Sequence, residues 1–132
     1  MSYGTIRYAV DDGGVARLTL ARPEKHNALS AVMIGELTDV AGRLGADAAV
    51  RAIILDAEGK SFCAGGDLEW MRAQFTADRQ TRIAEATRLA LMFRALNDLP
   101  KPLIARVHGN AIGGGVGLVS VCDAVVASAG AK

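Results

Sequence analysis

The stretch LIARVHGNAIGGGVGLVSV, residues 103–121, joins two short apolar runs through a glycine-rich loop. Leu103–Val107 has the length and side chains of a buried strand, and residues 116–121 have those of a short helix. The same order occurs earlier in the chain. Residues 50–55 predict a buried parallel strand, residues 60–66 form a loop that ends in two glycines, and Asp67 is placed to cap a helix. A strand, a glycine loop and a helix in series, found twice, indicate an α/β fold with parallel strands.

The rest of the chain continues this pattern. Ile6–Val10 and Val15–Leu20 flank the turn residues 11–14 and predict a β-hairpin. Ser30 is a good N-cap for a helix with apolar residues at helical spacing, namely Ile34, Leu37, Ala41 and Leu44. Residues 78–97 predict a longer helix with a solvated arginine-rich surface and an apolar side formed by Ile83, Ala86, Ala90, Phe93 and Leu96. Ala124–Ala127 predicts a last strand.

The composition describes one globular domain. The 132 residues carry 15 Lys and Arg against 14 Asp and Glu, a net charge of +1, and 51% of them are hydrophobic. These values exclude disorder and argue against a nucleic-acid or membrane partner, because excess basic residues are not clustered. The two cysteines lack metal-ligand spacing, so neither a metal site nor a disulfide scaffold is predicted. Because the N-terminal residues form no apolar leader, we expect a cytoplasmic protein.

Glycine loops between strands and helices serve several kinds of site. A phosphate-binding Walker loop needs a glycine where this chain has Ile54, and a dinucleotide fingerprint needs one at Leu118 or Ser120. The nucleophile motif G-x-S-x-G is absent from the sequence. Two interpretations remain open. The loops are either tight turns where a helix packs closely on a strand, or an oxyanion hole, in which N–H groups from two loops hold one carbonyl oxygen as it becomes an anion.

Three motifs carry a resemblance to a known family. They are residues 22–29 (Arg-Pro-Glu-Lys-His-Asn-Ala-Leu), 61–68 (Ser-Phe-Cys-Ala-Gly-Gly-Asp-Leu) and 109–115 (Gly-Asn-Ala-Ile-Gly-Gly-Gly), followed by Cys122 and Asp123. Their order and spacing resemble the enoyl-CoA hydratase/isomerase (crotonase) superfamily. The resemblance implies an α/β fold of the crotonase-like ββα spiral type, with residues 1–132 as its N-terminal portion. It also implies an acyl-CoA thioester substrate that brings coenzyme A with it, no separate cofactor, and a homotrimer or hexamer of the full-length protein.

The same resemblance assigns roles to residues in and around the glycine loops. The backbone N–H groups of Gly66 and Gly114 would form an oxyanion hole around the thioester carbonyl. Trp70 and Met71 would help to wall the acyl pocket. The residues expected to bind the coenzyme A or acyl part of the substrate are Arg22, Lys25, Ala64, Gly65, Asp67, Leu68, Trp70, Met71 and Gly117.

Two departures from the family pattern bear on the reaction. Gly117 stands where the best-known hydratases carry a glutamate, and a second family glutamate would fall beyond Lys132. The chain resembles a truncated spiral domain, without the C-terminal part and the helical trimerisation region. The runs Gly-Gly-Gly-Val-Gly-Leu-Val (residues 113–119) and Gly-Gly-Asp-Leu-Glu-Trp-Met (residues 65–71) together are similar to the methylglutaconyl-CoA hydratase group. This similarity favours an enoyl-CoA hydratase with 3-methylglutaconyl-CoA as a candidate substrate. A Δ3-Δ2-enoyl-CoA isomerase, which needs a single base, and a non-catalytic acyl-CoA-binding protein or inactive fragment remain as alternatives.

His26, His108 and Cys63 are reactive residue types outside these assignments. Each histidine lies in a loop that leads into a helix cap or a glycine turn, which favours hydrogen bonding over catalysis. Cys63 follows Phe62 in an apolar stretch. We therefore interpret Cys63 as a core residue and not as a nucleophile paired with His108.

Overall fold

The structure, a computed structural model, describes residues 2–132 and contains one five-stranded sheet. The strands lie side by side in sequence order: β1 (Ile6–Val10), β2 (Val15–Leu20), β3 (Ala52–Ala57), β4 (Leu103–Val107) and β5 (Ala124–Ala127). β1 and β2 form the predicted antiparallel hairpin, and β2 to β5 are parallel. Parallel strands place their carboxyl ends at one edge of the sheet, and both glycine loops leave from that edge.

Four α-helices lie in the described part of the chain: α1 (Ala31–Ala46), α2 (Leu68–Thr76), α3 (Arg79–Asn97) and α4 (Gly114–Ser120). α1, α2 and α3 begin at the side-chain caps Ser30, Asp67 and Asp78. Ser30 Oγ accepts a hydrogen bond from the Met33 amide at 3.2 Å, and Asp67 Oδ1 accepts one from the Trp70 amide at 2.9 Å. Such a cap supplies an acceptor that the first helical turn lacks and contributes about 1 kcal/mol. The predicted caps at Ser30 and Asp67 are confirmed.

The core lies between the sheet and α1. Alternate residues of β2 face it, so Ala16, Leu18 and Leu20 are buried whereas Arg17 is exposed. α1 contributes the apolar residues of one helical face, namely Met33, Ile34, Leu37, Val40, Ala41 and Leu44. Burial of one Leu or Ile side chain contributes about 1.5–3 kcal/mol relative to exposure. This layer therefore holds in place the strands whose ends carry the glycine loops.

α3 packs against the core only through its C-terminal part. Met92 and Leu96 are buried and Phe93 is half-buried, whereas Ile83, Ala86 and Ala90 are exposed. The predicted apolar side is therefore wrong at these three residues and correct only for Phe93 and Leu96.

α1 and α3 run parallel, because Arg88 of α3 contacts Ala31 at the start of α1, and Leu99, just after α3, lies 3.4 Å from the Cβ position of Gly45 near the end of α1. Residues 79–87 consequently lie beyond the start of α1 and have no core to face.

The other face of the sheet carries charged residues that are paired with one another. The carboxylate of Asp56, only 2% exposed, accepts hydrogen bonds from Arg17 Nε and Thr19 Oγ1, each at 2.6 Å. Glu58 accepts from Arg7 nearby. These residues line a groove of about 470 Å³ that none of the glycine loops reaches.

Two kinds of feature are not found in residues 2–132. No helix is long and apolar enough to cross a membrane, and no group of three or more His, Cys, Asp or Glu side chains could hold a metal ion.

Candidate active site

The loops that follow β3 and β4 are hydrogen-bonded to each other. The amides of Phe62 and Cys63 both donate to the Asn110 carbonyl, at 3.0 and 3.1 Å, and the Ile112 amide donates to the Cys63 carbonyl at 3.0 Å. Cys63 and Ala111 form a parallel bridge. The two loops therefore continue the parallel pairing of their strands for several residues, which brings the glycines of both loops together.

Glycine is required where these loops approach most closely. A Cβ atom at position 115 would lie 2.3 Å from the Cys63 carbonyl oxygen, well inside van der Waals contact. Gly65 has a φ of 94°, a left-handed value that other residues rarely adopt. The close-packing interpretation of the glycine loops is thus correct for these two positions.

A third segment, residues 22–29, completes the site. The Leu29 amide donates to the Gly65 carbonyl at 2.7 Å, and the Asp67 amide donates to the Leu29 carbonyl at 3.0 Å, so that Leu29 forms a parallel bridge with Gly66. These hydrogen bonds fix the positions of the peptide units on either side of Gly66.

Asn27 holds the loops around the site together, a role that the sequence prediction missed. Its side chain is fully buried, its Nδ2 donates to the carbonyls of Glu58 and Ser61 at 2.8 and 3.1 Å, and its Oδ1 accepts from the Arg22 amide at 2.8 Å. Its φ of 55° is left-handed, and asparagine tolerates that region better than most residues. The signal in the sequence was an amide residue in a polar loop next to a helix cap.

In the described part of the chain, the amides of Gly66 and Gly114 are unpaired donors of these loops, as are those of Ser61 and Gly113. Neither the Gly66 N–H nor the Gly114 N–H donates a hydrogen bond to any carbonyl or side chain of residues 2–132, although both residues are only half-buried. They belong to loops in contact, because a Cβ atom at Gly65 would lie 3.5 Å from the Gly114 nitrogen. Unpaired N–H groups from two loops in contact are available as donors to an external oxygen.

A cavity of about 380 Å³ lies beside Gly66. It brings together five of the residues predicted to contact the substrate or its carbonyl, namely Lys25, Ala64, Gly66, Asp67 and Leu68. Glu24, His26, Ala28 and Glu69 also line it, and the sequence prediction did not include them. The lining therefore carries both signs of charge next to apolar side chains.

Arg22 and Asp67, which lines this cavity, form a shielded ion pair. Arg22 Nη1 donates to Asp67 Oδ2 at 2.9 Å and to the Ala28 carbonyl at 3.0 Å. Burial alone would raise the pKa of the Asp67 carboxyl, but hydrogen bonds from the Trp70 amide and from Arg22 hold it below its ordinary value. The structure thus shows Arg22 joining residues 22–29 to the start of α2, and a contact of Arg22 with coenzyme A stays a prediction.

Trp70, Met71 and Gly117 lie around the glycine loops but outside the cavity lining. Met71 Sδ is 3.0 Å from the position of a Cβ atom on Gly66, and the Trp70 ring is 4.0 Å from it. Gly117 lies against the ring of Phe93, which occupies the space that a side chain at position 117 would need. The acyl-pocket role of these residues stays a prediction.

The histidines and Cys63 have the structural roles that the sequence favours. His26 Nδ1 is 3.0 Å from Ser61 Oγ, and His108 Nε2 is 2.6 Å from the Gly59 carbonyl oxygen. Cys63 is fully buried, and burial raises the pKa of its thiol, which makes it a poor nucleophile.

Known proteins are similar to this chain in sequence and in fold. The profile of the enoyl-CoA hydratase/isomerase family matches residues 11–132. The mitochondrial Delta(3,5)-Delta(2,4)-dienoyl-CoA isomerase of Homo sapiens is 35% identical over 130 residues, which cover 92% of this chain and 40% of that protein. An enoyl-CoA hydratase of Alternaria alternata is 36% identical over 118 residues, which cover 89% of this chain and 38% of that protein.

Solved structures agree with the sequence comparison. The crystal structure of an enoyl-CoA hydratase from Mycobacterium smegmatis has a TM-score of 0.91 and 42% identity, and the match covers 97% of this chain and 49% of that one. An enoyl-CoA hydratase from Shewanella pealeana has a TM-score of 0.90 and 38% identity, covering 94% and 46%. The chain spans less than half the length of each of these four proteins. By sequence and by fold, it belongs to the enoyl-CoA hydratase/isomerase (crotonase) superfamily.

Proposed function

We propose that the whole protein is an enoyl-CoA hydratase in which the amides of Gly66 and Gly114 hold the thioester oxygen of the substrate. One observation carries this proposal: the two N–H groups are unpaired and belong to loops in direct contact. The family relationship supports an acyl-CoA as the ligand whose oxygen they would bind. In this proposal coenzyme A is part of the substrate, and no separate cofactor takes part.

The chemistry requires such donors. Hydration of a 2-enoyl-CoA adds a hydroxyl group to C3 and a proton to C2, and negative charge collects on the thioester oxygen between these two events. A donor aimed at that oxygen contributes about 2.7–4 kcal/mol to transition-state stabilisation. Asn27 and the loop-to-loop hydrogen bonds fix the backbone around both glycines, so the donors need little reorganisation when charge develops.

A second candidate is an enoyl-CoA isomerase. Position 117, one helical turn after Gly114, has no carboxylate, and the Phe93 ring fills the space beside it. Isomerisation moves one proton between carbons and needs a single base, so it tolerates this loss better than hydration does. The similarity to a dienoyl-CoA isomerase also favours an isomerase.

An absorbance assay on the full-length protein distinguishes these reactions. Hydration of crotonyl-CoA or 3-methylglutaconyl-CoA destroys the conjugated enoyl-thioester chromophore, whereas isomerisation of a 3-enoyl-CoA creates it. We expect the absorbance to decrease with crotonyl-CoA or 3-methylglutaconyl-CoA. An increase in absorbance with the 3-enoyl-CoA would favour the isomerase. Binding of acyl-CoA without either change would support a non-catalytic binding protein. Sedimentation of the same sample tests the proposed homotrimer or hexamer.

Two substitutions at one position test the oxyanion hole. Gly114→Pro removes the N–H, and Gly114→Ala keeps it, while both add a Cβ atom that would lie 2.8 Å from Leu29 Cδ1. Proline is well tolerated at the first position of a helix, which Gly114 occupies. We expect kcat of the proline variant to be about 10²- to 10³-fold below that of the alanine variant, with similar acyl-CoA affinity. Equal turnover of the two variants would refute the assignment.

A further inference from the structure

α2 is the helix that follows Gly66 directly, and it has few apolar anchors. None of its nine residues is buried, and Leu68 and Phe75 are 69% and 80% exposed. Asp67 fixes its first turn, but core packing does not hold the rest of the helix. Within residues 2–132, its orientation therefore depends on a small number of specific contacts.

The strongest of these contacts is made by Trp70. Its ring is half-buried and packs against the core, and its indole Nε1 donates to Glu85 Oε2 of α3 at 3.0 Å. Glu85 in turn accepts from Arg88 Nη1 at 3.3 Å, and Arg88 Nη2 donates to the Ala31 carbonyl of α1 at 3.3 Å. A continuous set of polar contacts thus links α2 to α3 and to the start of α1.

The two helices at the far end of this set of contacts, α3 and α1, are anchored in the core. α3 is anchored by the buried side chains of Met92 and Leu96, and α1 buries a full apolar face against the sheet. At the near end, Trp70 and the next residue, Met71, lie 4.0 and 3.0 Å from the Cβ position of Gly66. A shift of the indole would therefore change the packing of side chains that lie next to Gly66.

We propose that Glu85 is a positioning residue that holds the indole of Trp70 and, through Trp70 and Met71, the direction of the Gly66 N–H. The inference rests on the proposed function, because the Gly66 N–H has a role only if it binds the thioester oxygen. Glu85 touches neither glycine itself. Its effect on turnover passes through the tryptophan, which separates it from a residue that merely stabilises the protein.

The test uses variants of the full-length protein. Glu85→Ala removes the acceptor, and we expect kcat to fall about 10- to 100-fold with a smaller change in KM, because small misplacements of a transition-state contact are costly. Glu85→Gln keeps an oxygen acceptor for the indole and should retain most of the activity. Asp98→Ala is the matched control, because it removes an exposed ion pair of the same kind, with Arg94, at the end of the same helix.

Two further readouts separate positioning from general stability. Trp70 is the single tryptophan of these 132 residues, and its emission is isolated by subtracting the spectrum of a Trp70→Phe variant. Glu85→Ala should increase quenching of that emission by acrylamide, and Asp98→Ala should not. In the Trp70→Phe background, which lacks the indole donor, Glu85→Ala should change kcat no further.

The outcomes are distinct. Additive effects of Trp70→Phe and Glu85→Ala on kcat, or normal turnover of Glu85→Ala, would overturn the inference even if the Gly114 variants behave as expected. If the Gly114 variants turn over equally, the proposed function itself fails, and a changed Trp70 emission then reports only the anchoring of α2.

Discussion

Gly117 and Phe93 form a contact whose energy can be worked out and tested. Alanine at position 117 would place a Cβ atom 2.7 and 2.8 Å from Phe93 Cζ and Cε1, whereas carbon atoms prefer a separation of about 3.5–4.0 Å. The half-buried ring must move by roughly 1 Å to make room, and overpacking of this kind costs about 1–3 kcal/mol. Gly117 lies inside α4, and because alanine has a higher helix propensity than glycine, the substitution also stabilises the helix by about 0.8–1.0 kcal/mol. We expect Gly117→Ala to be neutral or to lower the free energy of unfolding by up to about 2 kcal/mol.

The Phe93→Ala background isolates the contact. Without the ring, only the propensity gain remains, and Gly117→Ala should then stabilise the protein by about 1 kcal/mol. Gly42→Ala provides the control. Gly42 lies in the exposed part of α1, and apart from its own helix backbone and chain neighbours no atom lies within 4 Å of its Cβ position. This substitution should stabilise the protein by about the same amount in both backgrounds.

Urea unfolding followed by circular dichroism, at one fixed protomer concentration, measures all of these variants. The expected coupling between positions 93 and 117 is about 1–3 kcal/mol. An identical effect of Gly117→Ala with and without the ring would refute the contact and, with it, our reason why this position carries no side chain.

Three other predictions concern stability. Asn27→Ala leaves two loop carbonyls and one amide without their partner, and we expect a loss of about 1–3 kcal/mol in the free energy of unfolding, measured in urea. Asp67→Asn keeps a capping side chain but loses the charge that pairs with Arg22. Because folding lowers the pKa of Asp67, its contribution is full above about pH 4 and is lost as the pH falls further, so the melting temperatures of wild type and variant should converge in acid. Ser30→Ala removes the cap of α1 and should cost about 1 kcal/mol, seen as a lower urea midpoint.

The placement of the site could be predicted from the sequence because it depends on local patterns. Apolar runs predict parallel strands, glycines follow two of them, and parallel strands bring their carboxyl ends to one edge. The α/β fold and the two converging loops follow from that reasoning. β3 lies two residues later than residues 50–55, because Val50 is buried without pairing in the sheet. Burial and strand pairing are different properties, and a hydrophobic run reports only the first.

Contacts that depend on the relative position of helices could not be predicted. The bond between Trp70 and Glu85 requires α2 and α3 to meet at one angle, and no periodicity encodes that angle. The exposure of Ile83 has the same origin, since it depends on where α1 begins beside α3. Asn27 could have been flagged as a left-handed residue, but its three partners lie in segments that only the folded chain brings near.

The two isolated bridges, between Leu29 and Gly66 and between Cys63 and Ala111, also bear on how the protein folds. Both join residues far apart in the sequence, and such contacts form late because a long loop must close before any energy is gained. Helices and the β1–β2 hairpin need only local contacts and can form first. Recovery of the proposed acyl-CoA binding during refolding should therefore lag behind recovery of helical signal, and a bound acyl-CoA would act as a probe of the last step of folding.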